Sequence, residues 1–433
     1  MTPITVGIIG FVALIFLMFL RIPVGFVMAI VGFTGFGYLV SWPASLNLLA
    51  RDFYSIFSSY NLTVIPLFVL MGQVAHHSGI SGRLFKAAHK FLGHLPGGLA
   101  IATIGACAGF SAICGSTSAT AATMASVALP EMKKYNYDPA LAAGVVAAGG
   151  SLGILIPPST IFIIYGIMTE QSVGKLFMAG VLPGVLLSLL FVATIFIWTY
   201  FRPGLCEPAP KSTWREKLAS LFGVIETFIL FIIVMGGLFV GIFTPTEAAA
   251  IGAFGTLIIA LAGRNLSWRG FIQSLQETTR ISCMILVIVA GATVFGHFLA
   301  ITSIPMEIGN WVSNLHLHRY IIMALILFIY LAMGCLMDSL AMIMLTIPIF
   351  YPVITALGFD PIWFGVIIVV ITEMGVITPP VGINVYVVAG VARDIPLHVI
   401  FKGTLHLLMA QLATAFLLIF FPKIALFLPS FMK

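Results

Sequence analysis

Charged side chains are scarce in this 433-residue chain, in which Asp, Glu, Lys and Arg together make up only 8% of the residues. Soluble proteins carry about 25% charged residues, whereas 61% of this chain is hydrophobic. A water-soluble fold of this composition would lack the polar side chains needed to cover its surface. Long apolar runs such as residues 416–429 do not fit an outer-membrane β-barrel, whose strands alternate in polarity. The composition therefore predicts an all-α, polytopic membrane protein.

The sequence also lacks the motifs of the common enzyme classes. It contains no Walker phosphate-binding loop, no His–Glu metal motif and no paired-aspartate protease signature. The five cysteines are scattered without the spacing of a zinc site. These absences argue against an enzyme and against ATP hydrolysis by this chain. The net charge of +6 does not indicate nucleic-acid binding, because basic residues in a membrane protein first mark its cytoplasmic side.

Apolar runs predict ten membrane spans and two shorter re-entrant hairpins, and the hairpins are recognised by small polar residues that interrupt their runs. An amphipathic arm helix is predicted over residues 78–95 on the cytoplasmic face, with residues 304–316 as its outer counterpart. The predicted spans are residues 4–20, 22–42, 55–76, 140–168, 177–200, 221–242, 246–263, 282–302, 363–390 and 398–420, and the hairpins are residues 97–132 and 320–352.

Lys and Arg residues predict the orientation of the chain. With the N-terminus outside, fifteen of them, Arg21 included, fall inside and five, Lys433 included, fall outside. The opposite topology reverses this ratio. Because cytoplasmic loops are enriched in basic residues, we expect a periplasmic N-terminus.

Helix breakers recur along the chain at a constant offset of 222 residues. Asp138 corresponds to Asp360, Gly153 to Gly375, and the pair Pro157-Pro158 to Pro379-Pro380, so one gap-free offset aligns about 135 residues. In the predicted topology the corresponding segments run in opposite directions. Such inverted-topology repeats are typical of secondary transporters, whose sites lie near the bilayer midplane on interrupted helices. The resulting division is an N-terminal helix over 1–20, a first repeat over 21–202, a cytoplasmic linker and connecting helix over 203–243, and a second repeat over 244–433.

The proline pairs predict carbonyl groups that lack a helical partner. Proline has no N–H, so the carbonyls of Gly153 and Ile154, and of Gly375 and Val376 in the second half, lose their usual donors. An unpaired carbonyl in hydrocarbon is costly, and a bound alkali cation would satisfy it. The alternative is a simple kink whose carbonyls are satisfied by a neighbouring helix or by water.

Polar residues concentrate at the predicted hairpin tips. In the first tip Gly115 provides backbone freedom and residues 116–118 provide hydroxyl groups. At the repeat offset Ser116 corresponds to Asp338 and Thr117 to Ser339. A single Ser or Thr in a membrane helix usually bonds to its own backbone, but a cluster at a turn can bind an ion.

Acidic residues inside apolar runs are usually functional. We therefore expect Asp338 and Glu373 to contact an ion or the substrate. Glu247 and Glu226 lie near the start of spans, where a structural role is favoured: a charge at a helix N-terminus, or a partner for an interfacial Arg.

At these motifs the chain resembles the large membrane subunit of TRAP (tripartite ATP-independent periplasmic) transporters. The resemblance covers nearly the whole chain and is carried by residues 61–73, 110–160, 243–253 and 334–390, with the motifs "GILIPPST" and "GVITPPVG". It implies an elevator-type importer in the inner membrane of a bacterium or archaeon, driven by a sodium gradient. It further implies small organic acids as substrates, a small four-helix membrane subunit and a periplasmic substrate-binding protein as partners, and contact with membrane lipid.

The resemblance also places the sites. Sodium is expected at Gly115, Ser116, Thr117, Ser118, Ser151, Gly153, Asp338, Ser339, Thr372, Gly375 and Thr378, although related chains often carry Asn at the position of Thr372. Substrate contacts are expected at Ser118, Pro157, Ser159, Glu373 and Pro379. The alternative function is a stand-alone cation-coupled carrier or channel with the same inverted repeat.

Overall fold

The computed structural model describes residues 1–20, 22–314 and 317–432, and for residues 310–314 it describes the backbone alone. Arg21 and Lys433 of the charge count, and the end of the predicted 304–316 helix, lie outside the described residues. The described chain is mainly helical and contains no strand, with short turns between most helices and a non-helical linker over residues 206–213. The predicted fold class is confirmed.

The helices up to residue 202 form the first half of the fold. They are α1 (Pro3–Phe19), α2 (Val24–Leu39), α3 (Trp42–Phe57), α4 (Val64–His77), α5 (Ile80–Leu92), α6 (Gly98–Cys114), α7 (Thr117–Lys134), α8 (Pro139–Leu155), α9 (Thr160–Thr169) and α10 (Val173–Phe201).

The remaining helices follow the linker. They are α11 (Trp214–Phe222), α12 (Ile225–Val240), α13 (Pro245–Ala262), α14 (Trp268–Thr302), α15 (Ile304–Asn314), α16 (Arg319–Gly334), α17 (Ser339–Ala356), α18 (Pro361–Gly375), α19 (Ile383–Val391), α20 (Leu397–Phe420) and α21 (Lys423–Leu426).

The repeat is visible in the helix boundaries. Helices α7 and α17 start at Thr117 and Ser339, and α8 and α18 start at Pro139 and Pro361, so both pairs are 222 residues apart. Helices α1 and α12 are related by the same offset. The two hairpins, α6–α7 and α16–α17, and the arm helix α5 lie where the sequence predicts them.

The two broken helices begin with the same cap. One carboxylate oxygen of Asp138 accepts hydrogen bonds of 2.9 and 3.2 Å from two backbone N–H groups in the first turn of α8. Asp360 does the same for α18, at 2.8 and 3.0 Å. A proline follows each cap at the first helical position, where no N–H is needed.

Both proline pairs interrupt helices, as predicted. Helix α8 ends at Leu155 and α9 begins at Thr160, while α18 ends at Gly375 and α19 begins at Ile383. Both Pro-Pro peptide bonds are cis. The seven-residue gap in the second half is longer than the four-residue gap in the first, so the two breaks differ in detail.

Two boundaries differ from the sequence-based expectation. Helix α3 lies in a stretch between two predicted spans, and α14 begins at Trp268 rather than near residue 282. Both stretches carry charged residues, which lower their hydropathy, so a search for apolar runs did not predict these helices. By length and composition, six segments of the described chain can cross a membrane, or eight if each of two bent helix pairs is one span. One bent pair joins α3 to α4 at 51°.

The helices form two groups that pack mainly within themselves. Helices α1–α4 and α12–α14 make up the scaffold group, and helices α6–α10 and α16–α20 make up the hairpin group. Helix α8 is buried at every position from Ala140 to Leu155, and α18 is buried from Trp363 to Gly375. The broken helices therefore lie at the centre of the hairpin group. The two groups touch where α4 meets α6 and where α14 meets α17.

Candidate functional site

A cavity of about 160 Å³ lies where the tips of both hairpins meet the scaffold group. Its polar lining comes mainly from the two tips: Ser116, Thr117 and Ser118 from the first, and Asp338 and Ser339 from the second. The scaffold group contributes Val69 and Gln73 of α4 and Ile281, Met284 and Ile285 of α14. Residues 116–118 and 338–339 are far apart in sequence, so the cavity unites five predicted site residues from both repeats.

Three helices point their N-termini at this cavity. Helices α7, α9 and α17 each place a first-turn residue in the lining: Thr117, Thr160 and Ser339. The preceding side chains cap them, since Ser116, Ser159 and Asp338 each accept a hydrogen bond from a first-turn N–H. The N-termini of α7 and α9, whose caps are neutral serines, present partial positive charge, which favours a bound anion although no described lining residue is Lys or Arg. At α17 the carboxylate of Asp338 offsets the charge of the helix N-terminus.

The tip of the first hairpin is held directly against the first helix break. Thr160 donates a hydrogen bond of 3.2 Å to the carbonyl oxygen of Gly115, whose φ of +64° turns the chain between α6 and α7. Gly153 faces the backbone of Ser116 so closely that a Cβ there would overlap the Ser116 carbonyl and lie 3.0 Å from the Thr117 nitrogen. Glycine is therefore required at position 153 by contact between two backbones.

The first break has the unpaired carbonyls that the proline pair predicts. Among the described residues, no backbone or side-chain group donates a hydrogen bond to the carbonyl oxygens of Gly153 or Ile154. Ile154 lines the cavity, and Cys114 at the end of α6 lines it too. Helix C-termini and free carbonyls favour a cation. The same cavity therefore has groups that suit a cation as well as groups that suit an anion.

The prediction of free carbonyls in the second half is wrong. The Gly375 oxygen accepts a hydrogen bond of 3.1 Å from the N–H of Thr378, and the Val376 oxygen accepts one of 3.0 Å from the N–H of Asn384. The longer second break lets the chain turn back on itself, with Gly382 at a φ of +60°, and supplies these donors locally. Gly375 itself packs on the backbone of Gly334 at the end of α16.

Several expected ligands lie outside the cavity lining and bond to backbone carbonyls of α18. The hydroxyl of Thr372 donates to the Ile368 carbonyl at 2.6 Å, and the hydroxyl of Thr378 donates to the Met374 carbonyl at the same distance. This is the behaviour expected of a single hydroxyl in a membrane helix. Pro157 is buried and Pro379 is exposed, and neither lines the cavity.

Ser151 connects the two repeats. Its hydroxyl donates to the Ala148 carbonyl at 2.7 Å and accepts a hydrogen bond of 3.0 Å from the side-chain amide of Gln411 on α20. Asn384 of α19 donates to the carbonyl of Ala147 at 3.1 Å, one turn earlier on α8. All of these groups are buried, so polar side chains of the second repeat hold α8 from within.

Glu373 is fully buried on α18, and neither carboxylate oxygen has a hydrogen-bond partner among the described residues. It lies outside the cavity lining. An ionised carboxylate at such a place needs a partner that the described chain does not supply, and a bound cation would be one.

Glu247 and Glu226, which lie in the first turns of α13 and α12, have the structural roles expected of them. Glu247 completes a capping box with Thr244 at the start of α13, with a hydrogen bond of 2.8 Å from the Thr244 N–H. Glu226 lies 3.7 Å from the guanidinium of Arg83 on the arm helix.

Sequence reasoning missed the scaffold wall of the cavity. Gln73 and Thr160 both line it, yet neither had been singled out. Gln73 is the last residue of the 61–73 motif, which contributes to the family resemblance, and no other feature of the sequence marks it as a site residue. Among the described residues, no group of three or more His, Cys, Asp or Glu side chains could hold a metal ion. Hydroxyl, carbonyl and single-carboxylate oxygens of the kind found here suit an alkali cation better than a transition metal.

Comparison with known proteins extends these observations. The family model for the DctM component of tripartite ATP-independent periplasmic transporters matches residues 11–424. The C4-dicarboxylate TRAP transporter large permease protein DctM of Pseudomonas aeruginosa is 37% identical over 391 residues, which cover 90% of this chain and 91% of that protein. The sialic acid TRAP transporter large permease protein SiaM of Vibrio cholerae is 32% identical over 421 residues, which cover 96% of each chain.

A solved structure shares the fold at low sequence identity. The YdaH transporter of Alcanivorax borkumensis superimposes with a TM-score of 0.64 and 15% identity, over 87% of this chain and 89% of that one. At this identity the likeness concerns the architecture alone.

Proposed function

This chain belongs to the DctM family of tripartite ATP-independent periplasmic transporters, and we propose that it carries small organic acids into the cell together with sodium. It is a multi-pass membrane permease and not an enzyme. Membership of a tripartite system implies a small membrane subunit and a periplasmic binding protein as partners. We place the chain in the inner membrane of a bacterium or archaeon with its N-terminus in the periplasm, as its basic residues predict.

The observation that carries this proposal is the cavity between the two hairpin tips. Ile154, whose carbonyl oxygen has no hydrogen-bond donor among the described residues, and Asp338 both line it and are our candidate ligands for a cation. The N-termini of α7 and α9, which have neutral serine caps, face the same space and favour an anion. A site that holds both ions next to each other couples them, because each partly neutralises the charge of the other.

Sodium is proposed to bind around the two tips and the adjoining helix breaks. The groups that we assign to it are Gly115, Ser116, Thr117, Ser118, Ser151 and Gly153 in the first repeat and Asp338, Ser339, Thr372, Gly375 and Thr378 in the second. For the substrate we assign Ser118, Pro157, Ser159, Glu373 and Pro379. The geometry supports the tip residues most directly, since they line the cavity.

The size of the cavity favours a compact substrate. Its volume of about 160 Å³ is below the roughly 300–1,000 Å³ of sites for drug-sized ligands. One relative is named for C4-dicarboxylates and another for sialic acid. We propose a small carboxylate such as a C4-dicarboxylate, because a sugar acid would need a larger space.

We further propose that the hairpin group moves as a unit against the scaffold group, as in an elevator. The division of the helices into two groups that pack within themselves supports this motion. The cavity lies at the boundary between the groups, so such a motion would carry its contents across the membrane.

Reconstitution tests the proposal. The chain, its small subunit and its binding protein are combined in liposomes, and uptake of radiolabelled succinate is measured under an inward sodium gradient. We expect uptake that requires sodium and binding protein, and that excess malate suppresses more strongly than sialic acid. Equal uptake under a potassium gradient would overturn sodium coupling. Uptake by this chain alone would support the stand-alone carrier instead.

A further inference from the structure

A groove of about 450 Å³ lies between α5 and α11 and shares no lining residue with the cavity at the hairpin tips. Helix α5 contributes Arg83, Lys86 and Lys90, which are spaced three and four residues apart and so share one face of the helix. Helix α11 forms the other wall with Glu216, Ala219 and Ser220, and Gly223 closes its end. We call this the basic groove.

The cations of the basic groove are only partly neutralised. Lys90 lies 3.3 Å from Glu216, and Arg83 lies 3.7 Å from Glu226. Lys86 is exposed and forms no ion pair with any described carboxylate. Arg83 is also incompletely bonded, because its Nε and Nη2 atoms have no hydrogen-bond partner among the described residues. The groove therefore has donors and positive charge left for an anion.

An apolar strip adjoins the basic groove on α11. Trp214, Leu218 and Phe222 are spaced four residues apart and are 75%, 52% and 68% exposed. Lys217 lies over the rings of Trp214 and Phe91, at 5.1 and 5.7 Å from their centroids, which joins α11 to the arm helix. Helix α11 then bends by 48° into α12, whose first residue Ile225 is 42% exposed.

The basic groove and the adjoining apolar strip together match the chemistry of an anionic phospholipid. An amphipathic helix that leads into a span lies at the level of the lipid headgroups, with its apolar side toward the acyl chains. Basic side chains at that level attract phosphate groups of anionic lipids. A soluble phosphate compound would use the cations but leave the apolar strip unexplained, whereas a phospholipid uses both.

We propose that the basic groove binds the phosphate of an anionic phospholipid through Arg83, Lys86 and Lys90, with the acyl chains along Leu218, Phe222 and Ile225. The lipid then ties the arm helix α5, which packs on hairpin helix α6, to α11 and the adjoining span α12. This inference requires only that the chain is a membrane protein and is independent of sodium coupling and of the transported acid.

Native mass spectrometry tests the inference. The purified full-length chain is exchanged into detergent with equal amounts of phosphatidylglycerol and phosphatidylcholine, and retained lipid is identified by mass. We expect selective retention of phosphatidylglycerol. The double variant Lys86→Gln/Lys90→Gln should weaken retention about fivefold for each cation removed. Lys402→Gln, which removes an exposed cation of α20 outside the groove, is the matched control and should retain the lipid.

Thermal unfolding distinguishes a lipid from a free anion. Phosphatidylglycerol should raise the Tm of the wild type and not that of the double variant, while inorganic phosphate at the same concentration should have no effect. The variant Leu218→Ser/Phe222→Ser, which keeps all three cations, should also bind less lipid. Equal retention by the wild type and the Lys86/Lys90 variant would overturn the proposal. An equal Tm shift with inorganic phosphate, or loss of all lipid when the small subunit is present, would overturn it as well.

Discussion

His76 on α4 and Thr123 on α7 are joined by a hydrogen bond of 2.7 Å that crosses the boundary between the scaffold group and the hairpin group. Thr123 is buried, and His76 stacks edge-on against His77, which in turn lies 3.1 Å from Glu277 of α14. The His76 side of this contact is therefore held to α14 through the neighbouring His77. If the hairpin group slides against the scaffold, this hydrogen bond exists in only one end state.

Locking this contact should stop transport. In a variant without the five native cysteines, a cysteine pair at positions 76 and 123 should be joined by a short bifunctional thiol reagent. We expect sodium-driven succinate uptake in liposomes to fall to background after cross-linking and to recover when the cross-link is cleaved. The reason is that the reagent joins α4 of the scaffold group to α7 of the hairpin group, and these helices must move apart during transport.

The matched control uses a contact inside the hairpin group. Lys133 at the end of α7 lies 2.7 Å from Asp394 in the turn before α20, and this hydrogen bond lowers the pKa of the Asp394 carboxyl. Cysteines at 133 and 394 should therefore cross-link without loss of uptake. Full transport with positions 76 and 123 cross-linked would mean that these helices do not move apart.

Asp338 combines two roles that substitution can separate. It caps α17 through a hydrogen bond of 3.1 Å from the Leu340 N–H, and it is the acidic residue of the cavity lining. Serine is also a good N-cap and occupies the corresponding position 116, so Asp338→Ser should remove the charge and keep the cap. Asp338→Ala should remove both.

We expect both Asp338 variants to lose sodium affinity by roughly tenfold or more, because even a third of the attraction of about 4 kcal/mol between nearby opposite charges corresponds to a factor of about ten. Only Asp338→Ala should also lose about 1 kcal/mol of stability. Sodium-induced Tm shifts, compared with choline, measure the first effect, and Tm without sodium measures the second. An unchanged sodium response in Asp338→Ser would remove the carboxylate from the site.

Gly153→Ala should disturb the cavity without altering any polar side chain. The added methyl group would overlap the Ser116 carbonyl and press the hairpin tip away from the helix break. Overpacking of this kind costs about 1–3 kcal/mol. We expect sodium affinity and succinate uptake to fall roughly tenfold. Gly296→Ala on α14, where a Cβ would meet no atom of the described chain within 4 Å, is the control and should behave as the wild type.

Ser151→Ala should destabilise the junction between the repeats. It removes the acceptor of the Gln411 amide, and both residues are completely buried. A buried donor without a partner costs about 1–3 kcal/mol, which should lower the Tm. Ser188→Ala on α10 serves for comparison, since among the described residues that hydroxyl bonds to the Gly184 carbonyl of its own helix alone. Equal Tm values for the two variants would refute this role of Ser151.

The repeat and its helix breaks could be predicted because proline acts locally. A missing N–H breaks a helix wherever it occurs, so Pro157 and Pro379 mark both interruptions without knowledge of the fold. The polar tips were equally visible, since Ser116 and Asp338 stand out in apolar surroundings. The expectation of sites on the interrupted helices came from the inverted repeat, since transporters of this kind bind their ligands near the midplane.

The remaining site residues depend on tertiary contacts that no local pattern contains. Gln73 and Thr160 reach the cavity only because α4 and α9 pack against the hairpin tip. The carbonyls of Gly375 and Val376 obtain donors from a turn whose length differs between the halves. Residues of the two breaks that are 222 positions apart therefore do not form equivalent hydrogen bonds.

The anion-attracting part of the cavity is made of backbone. Because the N–H groups that begin α7 and α9 are present whatever side chains surround them, their attraction for a negative group survives substitution of nearly every neighbour. A lineage carrying this architecture could change its cargo by exchanging small or apolar residues that shape the space, without ever having to gain or discard a basic one.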